Sequence, residues 1–133
     1  MGREDGIVQP FLNLKKLLTS LEVDAATFSD PVKRMFIVEG ESLTANIATG
    51  IDKGNSLHTQ PEHDELLVVL EGEAEFRVGD EQMHVSPGDL IFIPRNTLHG
   101  RVRTLTERWA VLSIYAPAFD RTKKNIRWDR DAS

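Results

Sequence analysis

The sequence of 133 residues contains no cysteine. Without thiols, the chain can form neither a disulfide nor a thiolate metal site, and it has no cysteine nucleophile. Any metal must therefore be bound by imidazole nitrogen or by carboxylate, amide or water oxygen. Long apolar runs are also missing, because the longest uninterrupted one is Leu66–Leu70, which is too short for a signal sequence or a membrane span. We therefore expect a cytoplasmic protein with no membrane partner.

Basic residues are in the minority. The chain has 16 Lys and Arg against 21 Asp and Glu, a formal net charge of −5. An acidic chain gains little from the counterion release that drives binding to phosphate backbones, so we expect no nucleic-acid partner. Its length is that of one domain, and 40% hydrophobic and 28% charged residues are typical of a chain that folds.

Helical periodicity occurs in only one part of the sequence. Apolar residues recur there every three or four positions, namely Phe11, Leu14, Leu17, Leu18 and Leu21. This spacing predicts a short amphipathic helix near residues 11–22. Its apolar stripe is expected to cover one face of a sheet, with a partner-binding face as the alternative.

From Val32 onward the apolar residues follow the period of strands. Eight short runs, separated by turns rich in Gly, Pro and Asn, are predicted as strands: Val32–Val38, Ser42–Thr49, Leu66–Leu70, Ala74–Val78, Gln82–Val85, Leu90–Ile93, Gly100–Leu105 and Arg108–Tyr115. Closely spaced strands with no helices between them indicate an antiparallel sandwich or barrel. Because Leu66–Leu70 is apolar throughout, we expect it to be covered on both faces.

Polar residues that a strand interior normally excludes collect at two places where turns meet strands. An extended chain at His58 puts its side chain on the same face as Gln60, and a following turn lets Glu65 face both. His99, from the second place, supplies another imidazole. Two imidazoles and a carboxylate with open positions form the ligand set of non-haem Fe(II) oxygenases, which also suits Mn, Ni, Co or Zn.

The two segments that hold these residues resemble the two motifs of the cupin superfamily. The first cupin motif runs Gly-x5-His-x-His-x3,4-Glu-x6-Gly, and the second runs Gly-x5-Pro-x-Gly-x2-His-x3-Asn. This chain shows His58-x-Gln60-x4-Glu65-x6-Gly72 for the first and Gly88-x5-Pro94-x-Asn96-x2-His99-x3-Arg103 for the second. The similarity extends over about Val32–Tyr115.

The resemblance implies an all-β protein with the double-stranded β-helix fold, a cupin jelly-roll barrel with a short N-terminal helix. We assign residues 31–116 to the barrel, residues 1–30 to an N-terminal helical segment that packs on it, and residues 117–133 to a C-terminal tail. The tail either is loose or docks Phe119 and Trp128 on a neighbour. Small cupins commonly pair, so we expect a homodimer.

The resemblance also implies one divalent transition metal (Fe, Mn, Ni, Co or Zn) inside the barrel, bound by His58, Glu65 and His99. Gln60 stands where the family has another His. An amide oxygen is a neutral and weaker donor than imidazole, so we expect weaker metal binding, with Gln60 as a fourth ligand or as a hydrogen-bond partner of the ligands. Glu65 is the nearest candidate for a catalytic base.

Two arginines suggest the chemistry of the substrate. In a regular strand that starts at His99, Arg101 and Arg103 would share its face and line the same cavity. Paired guanidinium groups beside a cation favour a small anionic ligand of the carboxylate type. The alternative is a bulged strand whose arginines pair with surface acids.

The resemblance thus implies a metal-binding enzyme for a small anionic molecule, among small cupins that include dioxygenases, isomerases, lyases and decarboxylases. The alternative is a non-catalytic cupin that binds or senses a small molecule with weak metal binding or none. A purely structural barrel is disfavoured because it has no need for buried His and Glu. Glu62 and His63 lie in the predicted turn, and we expect both to be solvated.

Overall fold

The computed structural model of the chain describes residues 10–20, 32–50, 56–120, 122–123 and 125–128. These residues contain one helix, α1 (Leu14–Ser20), and ten strands. In chain order the strands are β1 (Val32–Glu39), β2 (Thr44–Gly50), β3 (His58–Thr59), β4 (Asp64–Glu71), β5 (Ala74–Val78), β6 (Glu81–Val85), β7 (Leu90–Ile93), β8 (His99–Thr104), β9 (Ala110–Ala116) and β10 (Arg127–Trp128).

The strands form two five-stranded sheets. One sheet has the order β1-β2-β9-β4-β7 and the other has the order β10-β3-β8-β5-β6. Every pairing is antiparallel, and from β3 to β9 the chain crosses repeatedly between the sheets. The predicted jelly-roll barrel with a short N-terminal helix is confirmed. The eight predicted strands all form, and the structure adds β3 and β10, whose two residues each are too few to show a period.

An apolar core fills one end of the space between the sheets. It combines residues of both sheets, among them Leu67, Val69, Phe76, Ile93 and Val111. In β4 the side chains alternate, because Leu67 and Val69 are buried whereas Leu66 is 40% exposed. The expectation that Leu66–Leu70 is covered on both faces is therefore wrong, since the outer face of this sheet is only partly covered.

Helix α1 covers part of that outer face. The Asn13 side chain caps the helix by accepting a hydrogen bond from the Lys16 backbone N–H at 2.9 Å. Leu14, Leu17 and Leu18, together with Leu12, pack against a second apolar cluster on β1 and β2. The prediction that this stripe covers a sheet is confirmed for these three residues.

The helix departs from its predicted stripe at the N-terminal end. Phe11 is 88% exposed, so its predicted place in the stripe is wrong. It precedes the first helical turn, and Leu12 makes the contact with the second apolar cluster instead. Leu21 lies outside the described residues. No helix of the described residues is long and apolar enough to cross a membrane.

The C-terminal tail docks on its own barrel. Strand β10 pairs with β3, so that Trp128 lies opposite His58 and is buried. Phe119 stacks on Tyr115 with ring centroids 4.1 Å apart. These two aromatic residues therefore contact the barrel of the same chain, and the tail adds a strand to the sheet that carries His58.

Gly100 lets two strands approach closely beside the histidines. Its φ is +147°, and a Cβ at this position would overlap the Ser56 carbonyl oxygen. Gly88 also has a positive φ, of +98°, but in the described part of the chain no atom lies within 4 Å of where its Cβ would be. Backbone strain is therefore expected for a substitution at either glycine, whereas steric overlap is expected only at Gly100.

We predict that Gly100→Ala lowers the free energy of unfolding by about 3 kcal/mol or more, because strain and overlap combine. Gly88→Ala should cost only about 1–2 kcal/mol, the strain alone. Urea unfolding followed by circular dichroism measures both. Equal losses for the two variants would contradict the close approach at Gly100.

Candidate functional site

The other end of the barrel interior is polar. Seven side chains with polar groups are buried there, and they belong to both sheets and the adjoining loops: His58, Gln60, Glu65, His99, Arg101, Ser113 and Tyr115. A buried polar group costs free energy unless it is paired, so a cluster of this size needs a reason other than packing. The four predicted metal ligands are all in it.

Strands β3 and β8 bring the two histidines together. His58 and His99 are directly opposite each other in the sheet, and their ring centroids are 4.2 Å apart. On its other side the His58 ring packs against Trp128, with centroids 4.7 Å apart. His58 is therefore held between two rings, one of them supplied by the tail.

A backbone carbonyl orients each imidazole. His58 Nδ1 lies 2.6 Å from the Ser56 carbonyl oxygen, and His99 Nδ1 lies 2.8 Å from the Thr97 carbonyl oxygen. A carbonyl can only accept, so each Nδ1 carries the proton and donates it. A ring held in this way has only Nε2 left to bind a metal ion, which is how metal-ligating histidines are commonly oriented.

Glu65 faces His99 across the barrel. Its Oε1 lies 3.1 Å from His99 Nε2, and both side chains are buried. Since His99 Nδ1 already donates to Thr97, a neutral His99 would place a lone pair against a carboxylate oxygen. A proton or a metal ion must lie between them. Two ligand atoms bound at right angles to one metal are about 3 Å apart when each metal–ligand bond is about 2.1 Å. The observed separation is therefore compatible with a shared proton and with a shared metal ion.

Gln60 has the predicted position, and its amide lies beside the Tyr115 hydroxyl without a hydrogen bond of good geometry to any described residue. It follows β3 with its side chain on the His58 face, and it is 1% exposed. Neither its amide oxygen nor its amide nitrogen makes a hydrogen bond of good geometry with any described residue. Leaving a buried amide unpaired costs about 1–3 kcal/mol per group, so this oxygen is available to a ligand.

Burial and charge set the protonation of two interior groups. Desolvation lowers the pKa of His58 well below 6.5, assisted by the charges of His99, Arg34 and Arg101 and opposed by the Ser56 hydrogen bond. Desolvation also raises the pKa of Tyr115, as does the nearby Glu65 carboxylate. His58 is thus neutral, as a metal ligand must be, and Tyr115 keeps its hydroxyl proton.

The two predicted arginines separate. Arg101 is buried and lines the interior cavity, where its Nη1 donates to Thr104 Oγ1 at 2.7 Å. Arg103 is exposed and is directly opposite Glu75 on the outer face. The expectation that both share the face of His99 is wrong, because a bulge at Val102 shifts the register and turns Arg103 outward.

Two further interior residues, Arg34 and Asn46, belong to no sequence motif. Arg34 of β1 lines the same cavity as Arg101, and Asn46 of β2 lies directly opposite Ser113, another lining residue. The pairing of β1 with β2 and of β2 with β9 puts both on the face that carries Ala48 and Ser113, and nothing in the sequence shows that this face is the interior one.

His63 also differs from its prediction. It is buried, not solvated, and its ring packs against Phe119 at 4.7 Å between centroids. The reason is the tail, which folds back over the turn that carries His63. Glu62, its neighbour in that turn, is exposed as expected.

The interior cavity is small. It has a volume of about 40 Å³ and is lined by residues of both sheets, including His58, Glu65, His99, Arg34 and Arg101. Within the described residues, no group of three or more His, Asp or Glu side chains is arranged to hold a metal ion as it stands. The site therefore combines buried imidazole, carboxylate and amide groups around a small cavity.

Comparison with known proteins identifies the barrel. The sequence profile of the cupin domain family matches residues 44–115. An uncharacterised protein of Aquifex aeolicus (strain VF5) is 33% identical over 63 residues, which are 47% of this chain and 51% of that protein. The chain thus matches about half the length of this curated relative.

Solved structures share the fold at low identity. The protein TT1209 from Thermus thermophilus superposes with a TM-score of 0.69 at 20% identity, covering 84% of this chain and 100% of that one. Pac13 of Streptomyces, a nucleoside dehydratase, gives a TM-score of 0.61 at 17% identity, over 76% of this chain and 81% of that one.

The lowered pKa of His58 predicts a pH-dependent stability. Above pH 6.5, the ordinary pKa of His, the side chain is neutral in both the folded and the unfolded chain. As the pH falls below this value the unfolded chain takes up a proton that the folded chain refuses, so the free energy of unfolding falls by up to about 1.4 kcal/mol per pH unit.

Urea unfolding between pH 7.5 and 5, with chelator present, measures this loss. We expect His58→Asn to be less sensitive to acid than the wild type, because Asn does not titrate. His84→Asn is the matched control, since His84 is exposed and pairs with Glu73 on the surface. An identical acid dependence in His58→Asn and wild type would show that His58 takes up its proton equally well in both states.

Proposed function

This chain belongs to the cupin domain family, and on that premise we propose that it binds one divalent transition metal through His58, Gln60, Glu65 and His99. We further propose that it is an enzyme that acts on a small anionic molecule at that centre. The residues are those that match the metal positions of the cupin motifs, with Gln60 in the place of a histidine.

The observation that carries the proposal is the orientation of the two imidazoles. Both Nδ1 atoms donate to backbone carbonyls, so both rings offer Nε2 as a donor atom, and one of these lies 3.1 Å from Glu65 Oε1. A buried arrangement of two acceptors and a carboxylate is unfavourable unless positive charge is shared among them. A divalent cation supplies that charge.

Gln60 completes the set as an oxygen donor. Its amide, 1% exposed, makes no hydrogen bond of good geometry within the described residues, and to bind a cation it would have to turn away only from the Tyr115 hydroxyl. Mixed imidazole and oxygen ligands suit Fe, Mn, Co, Ni or Zn. A bound metal of this kind acts as a Lewis acid towards substrate oxygen atoms.

Side chains of the chain itself would move the proton, orient the substrate and exclude water. Glu65 is the proposed catalytic base, because with Oε1 turned towards the metal position its other carboxylate oxygen is left to accept a proton from substrate. Tyr115, directly opposite Glu65 in the sheet, keeps its proton since burial raises its pKa, and it can donate a hydrogen bond to substrate. Phe76, Trp109 and Val111 line the cavity and exclude water from it.

One observation favours a second candidate, a barrel that works without metal. Glu65 and His99 are in direct contact, and a single proton between them would satisfy both. Such a barrel would bind or sense a small molecule, or transfer that proton. The two candidates differ in a simple measurable property, the response of the purified protein to metal ions.

We predict that Mn²⁺, Fe²⁺, Co²⁺, Ni²⁺ or Zn²⁺ raises the melting temperature of chelator-treated protein, since a ligand at a hundred times its Kd adds about 2.7 kcal/mol to stability. His99→Ala should abolish the response. Gln60→His, which restores a fourth strong donor, should tighten binding at least tenfold, and Gln60→Leu should weaken it.

His84→Ala is the matched control, because it removes an exposed imidazole and should leave metal binding unchanged. Calorimetric titration gives the affinities. A wild-type protein that is purified free of metal and is stabilised by none of these ions would overturn the metal proposal and favour the second candidate.

A further inference from the structure

We infer that Arg34 is the principal anion-binding residue of the barrel, that it works with Arg101, and that Asn46 supplies a further hydrogen-bonding group. Together they would receive the carboxylate of a small oxo or hydroxy acid. The inference rests on the proposed function in placing that substrate beside the metal donors, and it names groups that the motifs do not contain.

The charges of the cavity point to an anion. Among the described residues that line it, the charged ones are Arg34, Arg101 and Glu65, and both guanidinium groups are close enough to help lower the pKa of His58. Arg34 comes from β1 and Arg101 from β8, so the two approach the cavity from opposite sheets. A carboxylate between them would be met by planar groups that match its shape.

Arg34 has unused hydrogen-bonding capacity. It is half-buried, it lies beside the Tyr115 hydroxyl, and its Nε has no hydrogen-bond partner among the residues that the structure describes. A guanidinium on an interior strand face with an unpaired donor is costly to the free protein. An incoming carboxylate would remove that cost.

Asn46 is a second, independent indication that the interior binds a ligand. It is 0% exposed, and neither its amide oxygen nor its amide nitrogen has a partner in the described part of the chain. It lies on β2 opposite Ser113, which lines the cavity, and two residues before Ala48, which is opposite Arg34. A fully buried Asn with both ends unpaired destabilises the fold, so its presence there is explained by a ligand and not by packing.

The size of the cavity restricts the ligand. A volume of about 40 Å³ has room for the carboxylate group of a small acid and excludes a nucleotide or an oligosaccharide. An oxo or hydroxy acid also carries a second oxygen that could reach the metal donors at the opposite wall. The substrate class is therefore a small carboxylic acid with an adjacent oxygen.

Calorimetric titration with pyruvate, an oxo acid, and with glycolate, a hydroxy acid, tests the inference on both chelator-treated and Mn²⁺-loaded protein. We expect Arg34→Gln to weaken binding at least tenfold in both forms and Arg34→Lys to weaken it less, because the charge is kept and the planar fork is lost. Arg103→Gln is the matched control, because Arg103 lies outside the barrel, and it should bind like the wild type.

Asn46→Leu separates a ligand role from a structural one. Replacing an unpaired buried amide by an apolar group of similar size should leave the melting temperature unchanged or raise it, while anion affinity falls. A packing role for Asn46 predicts the reverse, a lower melting temperature with unchanged affinity, and that result would overturn its part in the inference.

The remaining outcomes distinguish the two proposals. If the wild type binds Mn²⁺ but binds neither acid, or if Arg34→Gln binds both acids like Arg103→Gln, the anion inference is wrong and the metal proposal stands. If no metal binds but acid binding still depends on Arg34, the metal proposal is wrong and the anion site stands. Should Arg34→Gln fail to fold, Arg34→Lys and Asn46→Leu decide the matter.

Discussion

The contact between Glu65 and His99 is the constraint on which the polar half of this barrel depends. Two buried groups face each other at 3.1 Å, and His99 has already committed its other nitrogen to a backbone carbonyl. The pair is stable only if a proton or a cation is shared between them. His58, which burial keeps neutral, and the buried Gln60 amide lie in the same polar cluster.

The fold makes this arrangement possible by dividing the interior. One end is a conventional apolar core in which both sheets contribute aliphatic and aromatic side chains. The burial of this core offsets the free energy that it costs to bury polar groups at the other end. There, β3 and β8 place the two imidazoles opposite each other, while the tail closes the site by packing Trp128 on His58. The apolar end contributes the hydrophobic stabilisation, and the polar end contains the candidate site.

Much of this site could be predicted from residue type and strand period. His58, Gln60 and Glu65 could be placed because two residues of an extended segment share a face and a turn returns the third. The outward position of Arg103 could not be predicted, since a single bulged residue turns the later side chains of the strand to the opposite face. The sequence shows Trp128 only as an aromatic residue in a charged tail. Its pairing in β10 could not be predicted, because a strand of two residues is too short to have a periodicity.

Arg34 and Asn46 show a different limit of sequence reasoning. They lie on strands where no motif marks the interior face, and their significance comes from unsatisfied hydrogen bonding, which is a property of the folded chain. His63 is similar, because its burial depends on Phe119, which is distant in sequence. Local pattern therefore predicted the strands and the burial of His58, Gln60, Glu65 and His99, whereas the surroundings of these four residues depended on tertiary packing.

Anomalous diffraction from crystals of the Mn²⁺-soaked protein tests the central claim most directly. The proposed metal site predicts one strong anomalous peak inside the barrel, within bonding distance of Nε2 of His58, Nε2 of His99 and a carboxylate oxygen of Glu65, with the Gln60 amide oxygen turned towards it. A peak confined to surface carboxylates, or no peak at all beside an intact Glu65–His99 contact, would contradict it.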